Sequence, residues 1–493
     1  MQSSATDEET PSVLVASPTR AFTDPQSEHA FLPLHSPYKR IIIFCDGTWQ
    51  DGVTKQRSEY TNVLRLARTI HREDTRPESA HIPQVVFYQS GIGSANNFYS
   101  EYIEGTTGDS LADKVEEAYA FLAHNYKPGD EIFVFGFSRG AYTARMIAMF
   151  VGEIGVLDRK DMDKFSAIFL DFQKLGKSKK QALEEKLAQW RSPDAEGKQR
   201  VRMRNEKFSV KCVGVWETVG KLGLPEEIAV LPRKSQNIFG FPDRILGEHI
   251  EHAFQALALN EMRVDFDCNR FIQSEAGRAK HQTLKQVWFA GCHSDIGGGY
   301  KNHDLSDLTL IWMAAQIERL LYLDLEYLEN LLRPVAEWGT QQPHNSRTGI
   351  FMLADAVQRT LPKQPHDPET HEFFHESLKK QSNLSAAVLE KLNNPDFVAP
   401  LEPLEEQMKS KWPYDPDSHR AKAYKQKLQQ QQKDSKVGWV RTILRSVSGS
   451  SSSVRVAGSD GSVTVESTER RRTIKSSIDI FSLPRNSQRP QKN

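Results

Sequence analysis

Beyond an opening stretch in which apolar residues are scattered among Ser, Thr, Pro and charge, regular patterning begins near Tyr38. Short runs of β-branched and aromatic residues then recur: RIIIFCDGT over 40–48, QVVFYQSGIG over 84–93, EIFVFGFS over 131–138, SVKCVGVWETVG over 209–220 and LKQVWFAGCHSDIGGG over 284–299. Near-continuous apolar runs of this length predict strands buried on both faces. Each closes in a polar, glycine-rich turn. Helical spacing is read over 110–126, after Gly140, over 246–263 and over 305–323. Alternating strand and helix predicts an α/β fold, a mostly parallel central sheet with helices on both faces. Chemistry in such sheets gathers at the carboxyl ends of strands, which here carry Asp46, Ser90, Ser138, Glu217 and His293.

Composition divides the chain. Residues 1–37 are too poor in apolar side chains to offset the entropy of ordering and are expected to be a disordered arm. Residues 38–400 are expected to form one α/β domain with helical insertions, 401–447 a helical or irregular extension, and 448–493 a disordered Ser/Arg-rich tail.

Of the 493 residues, Lys+Arg and Asp+Glu each total 64, so no global field favours nucleic acid. The four cysteines, Cys45, Cys212, Cys268 and Cys292, are far apart with no C-x-x-C pair, which argues against a zinc ribbon and a disulfide scaffold. A reducing compartment fits. The N-terminus is acidic before it is apolar, unlike a secretory signal, and no stretch approaches the roughly 20 apolar residues that cross a bilayer. A soluble, cytoplasmic protein is expected, with the oligomeric state left open.

Gly136-Phe137-Ser138-Arg139-Gly140 matches G-x-S-x-G, the elbow that holds a nucleophilic serine between strand and helix. The context the motif requires is present: an apolar strand precedes it and AYTARMIAMFVG, a good helix former, follows. Ser138 is therefore the candidate nucleophile. The amide of Arg139, at the helix start, is placed to stabilise an oxyanion.

Serine needs a base, and the base an orienting carboxylate, which in this architecture follow in the order acid, then histidine. The next strand ends on Glu217 and the one after it on His293, the only one of fifteen histidines directly ending a predicted central strand. Asp295, two residues beyond His293, is the alternative acid. It shares the tight loop of the histidine and would struggle to reach Nδ1 from the correct side.

FCDGTW over 44–49 closes the first strand. Amides at Gly47 and Thr48 are candidates for the second half of an oxyanion hole, and Asp46 for bracing the neighbouring loops; an Asx-turn ending the strand is an equal reading of Asp46. A DGT phosphatase is set aside, because Phe44 stands where its nucleophilic aspartate would be. Asp46, His293, Asp295, His303 and Asp304 also raise a metal hydrolase, without recognisable ligand spacing. No metal or cofactor is implied by the favoured reading.

IIIFCDGTWQ, TNVLRLARTI, GTTGDSLADKVEEAYAFL, GFSRGAYTAR, GVWETVG and GCHSDIGGGY with LSDLTLIWM resemble, in order, the α/β-hydrolase domain of type VI secretion phospholipase effectors and their fungal-type relatives. The resemblance spans about 40–320 and implies an α/β-hydrolase-like fold and a serine hydrolase acting on carboxylic esters, including lipid esters. Carried over by motif, it makes Ser138 the nucleophile and His293 the base. Glu217 stands where relatives usually have aspartate, which raises the alternative of a weak or inactive relative acting as a binding protein.

In the insertion after the elbow helix, Phe165, Ile168, Phe169 and Phe172 follow helical spacing and read as core packing or as a cap over the site. GWVRTILRSV over 438–447 is amphipathic and suits docking on the domain or a transient membrane-surface contact.

Overall fold

The computed structural model describes residues 38–47, 60–77, 79, 81–91, 108–177, 181–202, 207–219, 244–263, 266, 268–346, 358–431 and 433, with the backbone of three strands between 454 and 478. The strands of the domain are β1 (Arg40–Cys45), β2 (Glu73–Asp74), β3 (Ile82–Gln89), β4 (Glu131–Phe137), β5 (Val210–Trp216), β6 (Ile245–Leu246), β7 (Ile250–Ala258), β8 (Ile272–Gln273), β9 (Thr283–Phe289), β10 (Glu372–His375) and β11 (Val398–Ala399). Nine of them form one sheet in the order β11-β10-β9-β7-β5-β4-β1-β3-β2. Every neighbouring pair is parallel except β2 with β3. The fold is α/β, as expected.

Alternation along the strands fills two separate cores. Ile41, Ile43, Ile132, Val134, Val213 and Val215 point to one, with the helices Gly108–Asn125, Arg139–Ile154 and Phe165–Lys177. Ile42, Phe44, Phe133, Phe135, Cys212 and Trp216 point to the other, with Asn62–Thr69, Asp304–Ile317 and Pro403–Ser410. Burial on both faces is why these strands read as unbroken apolar runs. The insertion stripe of Phe165, Phe169 and Phe172 packs on Phe150, and Phe165 also stacks on Tyr119.

One element departs from expectation. The stretch 246–263, read as a helix, contains β7, paired with β5 from Val210↔Ile250 to Trp216↔Ala256 and with β9 from His252↔Thr283 to Ala258↔Phe289. Its Ala, Leu and Glu content favours helix locally. Burial between two strands overrides that preference, with Phe254, Ala256 and Ala258 in one core and Ala253 in the other. Within the tail expected to be disordered, β12 (Val454–Val456), β13 (Val463–Glu469) and β14 (Arg472–Ile478) pair antiparallel. The amphipathic stretch 438–447 lies outside the described residues.

From β1 the chain runs out to β3 and then returns to β4 on the other side of β1. The carboxyl ends of β1 and β4 therefore flank a switch point, the position where open α/β sheets bind ligands. Cys45 pairs with Gly136 there, so Asp46 and Gly47 stand beside Ser138.

Candidate active site

Ser138 has φ 59° and ψ −123°, a region disfavoured for any residue with a Cβ. Holding it costs about 1–3 kcal/mol, which the surrounding structure must over-determine. It does so by steric and hydrogen-bond constraints. A Cβ on Gly136 would lie 2.4 Å from Gly140 O, and one on Gly140 2.2 Å from Cys45 O. Both glycines are thus required for the helix to double back across β1 and β4. Ser138 N donates to Trp216 O at 3.1 Å, and Val219 N donates to Ser138 O at 3.2 Å. The serine turn is locked to the segment that carries Glu217.

Glu217 follows β5 with φ 45° and is wholly buried. Its Oε1 accepts from Ala258 N at 2.7 Å, and its Oε2 faces His293 Nδ1 at 3.4 Å. A third partner was not anticipated: Arg359 Nη2 donates to Glu217 Oε2 at 2.9 Å and to Phe266 O at 2.7 Å. Burial pushes the Glu217 carboxyl up, but Arg359, His293 and the Ala258 amide outweigh it and leave the group below its ordinary value. It is held as a carboxylate.

His293 opens the short helix His293–Gly297 after β9, and its amide donates to Glu261 Oε2 at 3.1 Å. Glu261 is clamped by Arg263 Nε and Nη2, both at 2.9 Å, and by Ser346 Oγ at 3.0 Å. The imidazole lies against Phe137, with centroids 4.6 Å apart, and meets Phe266 edge-on at 4.9 Å. Burial lowers the His293 pKa more than the hydrogen bond and charge of Glu217 raise it, and Arg263 lowers it further. The net shift is downward from the ordinary histidine value. Among the described residues no hydrogen bond joins the Ser138 hydroxyl to this ring; such bonds are commonly long in unliganded sites and tighten on binding.

The other expected residues divide. Asp46 braces the site: Oδ2 accepts from Thr61 Oγ1 at 2.6 Å and Tyr88 Oη at 2.7 Å, tying β1 to the helix Asn62–Thr69 and to β3. Its Oδ1 accepts from Gly47 N at 2.7 Å. That amide, expected to serve an oxyanion, thus donates to the side chain of the residue just before it. Thr48 lies outside the described residues, and Arg139 begins the helix Arg139–Ile154. The Asp295 carboxylate accepts from Cys292 N at 3.0 Å and from His344 N and Nδ1 at 2.9 and 2.6 Å. It caps its own helix and fastens a distant loop, while Glu217 faces His293.

The metal-hydrolase set is dispersed. His303 Nδ1 pairs with Asp307 at 2.8 Å, and Asp304 accepts from Val335 N at 3.0 Å and Ala336 N at 2.9 Å. Among the described residues no group of three or more His, Cys, Asp or Glu is arranged to hold a metal. Nor is any single helix among them long and apolar enough to cross a membrane.

A parallel sheet whose switch point carries a strained serine, with a buried acid after β5 and a histidine after β9, the strand β7 lying between them, defines an α/β-hydrolase-like protein. The family described as "T6SS, Phospholipase effector Tle1-like, catalytic domain" matches residues 39–316, and the chain belongs to it. A Saccharomyces cerevisiae relative, described as uncharacterized protein YEL023C, is 25% identical over 246 residues, covering 47% of this chain and 33% of that protein. A solved structure of the Tle1 effector bound to the VgrG spike from the type 6 secretion system is 21% identical, with 53% of this chain and 51% of that chain covered and a TM-score of 0.27. Another, an uncharacterized protein from Pseudomonas aeruginosa, is 16% identical, covering 57% and 46%, with a TM-score of 0.30. This chain thus spans about a third of the yeast relative's length and about half of each solved chain.

Proposed function

We propose that this domain is a serine hydrolase cleaving carboxylic esters of lipids, phospholipids foremost. In this reading Ser138 Oγ attacks the ester carbonyl while His293 takes its proton and returns it to the leaving alcohol. Glu217 fixes the imidazole and stabilises the imidazolium that forms. The Arg139 amide, at a helix N-terminus, supports the oxyanion, with Thr48 the remaining donor from the β1 turn. Water then attacks the acyl-serine, again with His293 as base. The single observation that carries the reading is the buried Glu217 carboxylate facing Nδ1 of an imidazole that lies against Phe137, the residue immediately before the elbow serine. Membership in a family named for phospholipase effectors supports the substrate class.

The test is hydrolysis of phosphatidylcholine vesicles and short-chain p-nitrophenyl esters by the full chain. Release of fatty acid that disappears in Ser138→Ala and His293→Ala supports the reading; undiminished release in either overturns it.

One observation favours a second reading, a slow or silent relative acting as a binding protein: Arg359 lies closer to Glu217 Oε2 than His293 does, 2.9 against 3.4 Å. Robust ester turnover dependent on His293 disposes of it.

A further inference from the structure

The acid and the histidine of the site stand on strands that are not neighbours. Glu217 follows β5 and His293 follows β9, with β7 between them in the sheet. Strands in a sheet lie about 4.8 Å apart, so these two strand ends are separated by roughly 10 Å, and the end of β7 with the residues after it spans the gap. That segment holds both sides. Ala258 N donates to Glu217 Oε1 at 2.7 Å. Asn260 N donates to Gly291 O at 2.9 Å, and Asn260 Oδ1 accepts from Gly291 N at 2.8 Å. Glu261 Oε2 then accepts from His293 N at 3.1 Å, while Cys292 N, between these two amides, donates to Asp295 Oδ2 at 3.0 Å. The consecutive amides of Gly291, Cys292 and His293 thus all end on side chains, and Glu261 is the one that holds the histidine itself.

The surroundings of Glu261 select a carboxylate. Its Oε1 accepts from Arg263 N and Nε, both at 2.9 Å, and from Ser346 Oγ at 3.0 Å, and its Oε2 accepts from Arg263 Nη2 at 2.9 Å as well as from His293 N. A glutamine NH₂ in place of either oxygen would set donors against donors. Burial pushes the carboxyl up, but the hydrogen bonds and charge of Arg263 outweigh it and bring the group down to about 2. One backbone amide needs only a neutral acceptor, as Asn260 provides for Gly291. At His293 the chain uses a buried negative charge instead. That charge raises the pKa of the His293 ring, while Arg263 lowers it.

We propose that Glu261 is a positioning residue for His293: it fixes the backbone from which the imidazole reaches Glu217 and supplies a second negative charge that steadies the ring when it takes a proton, with Arg263 and Ser346 holding the carboxylate in place. The consequence for turnover rests on the reading of His293 as the base; the effect on the ring does not.

The experiment follows the ring nitrogens of His293 by NMR in the full chain labelled with 15N-histidine, the His293→Ala spectrum supplying the assignment, alongside p-nitrophenyl ester kinetics. The charged groups bearing on the ring are Glu217, Glu261 and Arg263, with Arg359 behind Glu217. Glu261→Gln should shift the protonation midpoint of His293 downward and reduce kcat by about ten- to a hundredfold with KM little changed, the pattern of a misplaced base. Asp304→Asn, which alters a buried carboxylate away from the site, should move neither quantity. Should Glu261→Gln not fold, Ser346 decides: the midpoint should fall in Ser346→Ala and return in Ser346→Thr, which keeps the hydroxyl. A midpoint unchanged in folded Glu261→Gln, or unchanged in Ser346→Ala where that variant decides, overturns the proposal. The expected midpoint shift in a protein inert toward esters upholds the positioning role and removes the hydrolase reading.

Discussion

Arg359 and His293 meet the same oxygen of Glu217, the guanidinium at 2.9 Å and the imidazole at 3.4 Å. The carboxylate is therefore shared between a permanent cation and a ring whose charge changes during the proposed reaction. Arg359 favours the ionised form of the buried Glu217, and it also competes for the charge that steadies the imidazolium.

Removing Arg359 leaves Glu217 buried with only the Ala258 amide and His293 as partners. Arg359→Ala should lower stability by about 3–5 kcal/mol, the usual consequence of orphaning one member of a buried pair. Adding Glu217→Gln should recover part of that loss, so a double-mutant cycle in urea reads a coupling between them. Strictly additive losses would mean that the two are not energetically linked.

Glu217→Gln keeps shape but removes the negative charge that faces His293 Nδ1. Ester turnover should fall by about 10³–10⁴-fold, as when a triad acid loses its charge, while Asp295→Asn, whose parent carboxylate caps a helix and holds His344, should act chiefly on stability. A larger loss of kcat in Asp295→Asn than in Glu217→Gln, with both proteins folded, would reverse the assignment.

The pH dependence has a definite sign. His293 must be neutral to accept a proton, and burial lowers its pKa. So kcat/KM should rise with pH through a midpoint below about 6.5, the unperturbed value for histidine. Because Glu217 raises that pKa, Glu217→Gln should move the midpoint lower still while depressing the plateau. A midpoint above the ordinary histidine value contradicts this.

Asp304 provides a pH test of stability away from the site. Burial, with Asp307 nearby, pushes its carboxyl up to about 7, against hydrogen bonds from the Val335 and Ala336 amides. Between its unfolded pKa of about 3.9 and that value the native chain keeps a proton the unfolded chain has lost, so this group makes stability fall as pH rises. Asp304→Asn should flatten the decline in Tm between pH 4.5 and 7.5; an unchanged slope would assign the decline elsewhere.

The elbow is testable by volume alone. Gly140→Ala puts a methyl group 2.2 Å from Cys45 O, in backbone that cannot yield without moving β1. Overpacking of this kind costs about 1–3 kcal/mol, and displacement of Ser138 should remove activity even where the fold survives. Activity retained in a folded Gly140→Ala protein would argue against a tight turn.

What could be seen in the sequence follows from how each residue is held. Ser138, Glu217 and His293 come directly after apolar runs buried on both faces, so their strand ends were visible as abrupt changes from apolar to polar. Glu261 stands in the same relation to β7, but its run IEHAFQALA carries helix-forming Ala, Leu and Glu, and the residue was hidden with the strand. Arg359 comes from a segment with no periodic pattern, and only tertiary packing brings it to Glu217. Gly47 shows a subtler limit: the acceptor its amide meets is the side chain of Asp46 beside it, a local contact that the strand pattern does not reveal.

The central claim is that Ser138 is a nucleophile activated by His293. The most direct measurement is reaction of the full chain with a fluorophosphonate, the modified peptide being located by mass spectrometry. The account predicts one adduct, on Ser138, absent in Ser138→Ala and formed at least a hundredfold more slowly in His293→Ala. An adduct on another residue, or labelling undiminished in Ser138→Ala, would contradict it.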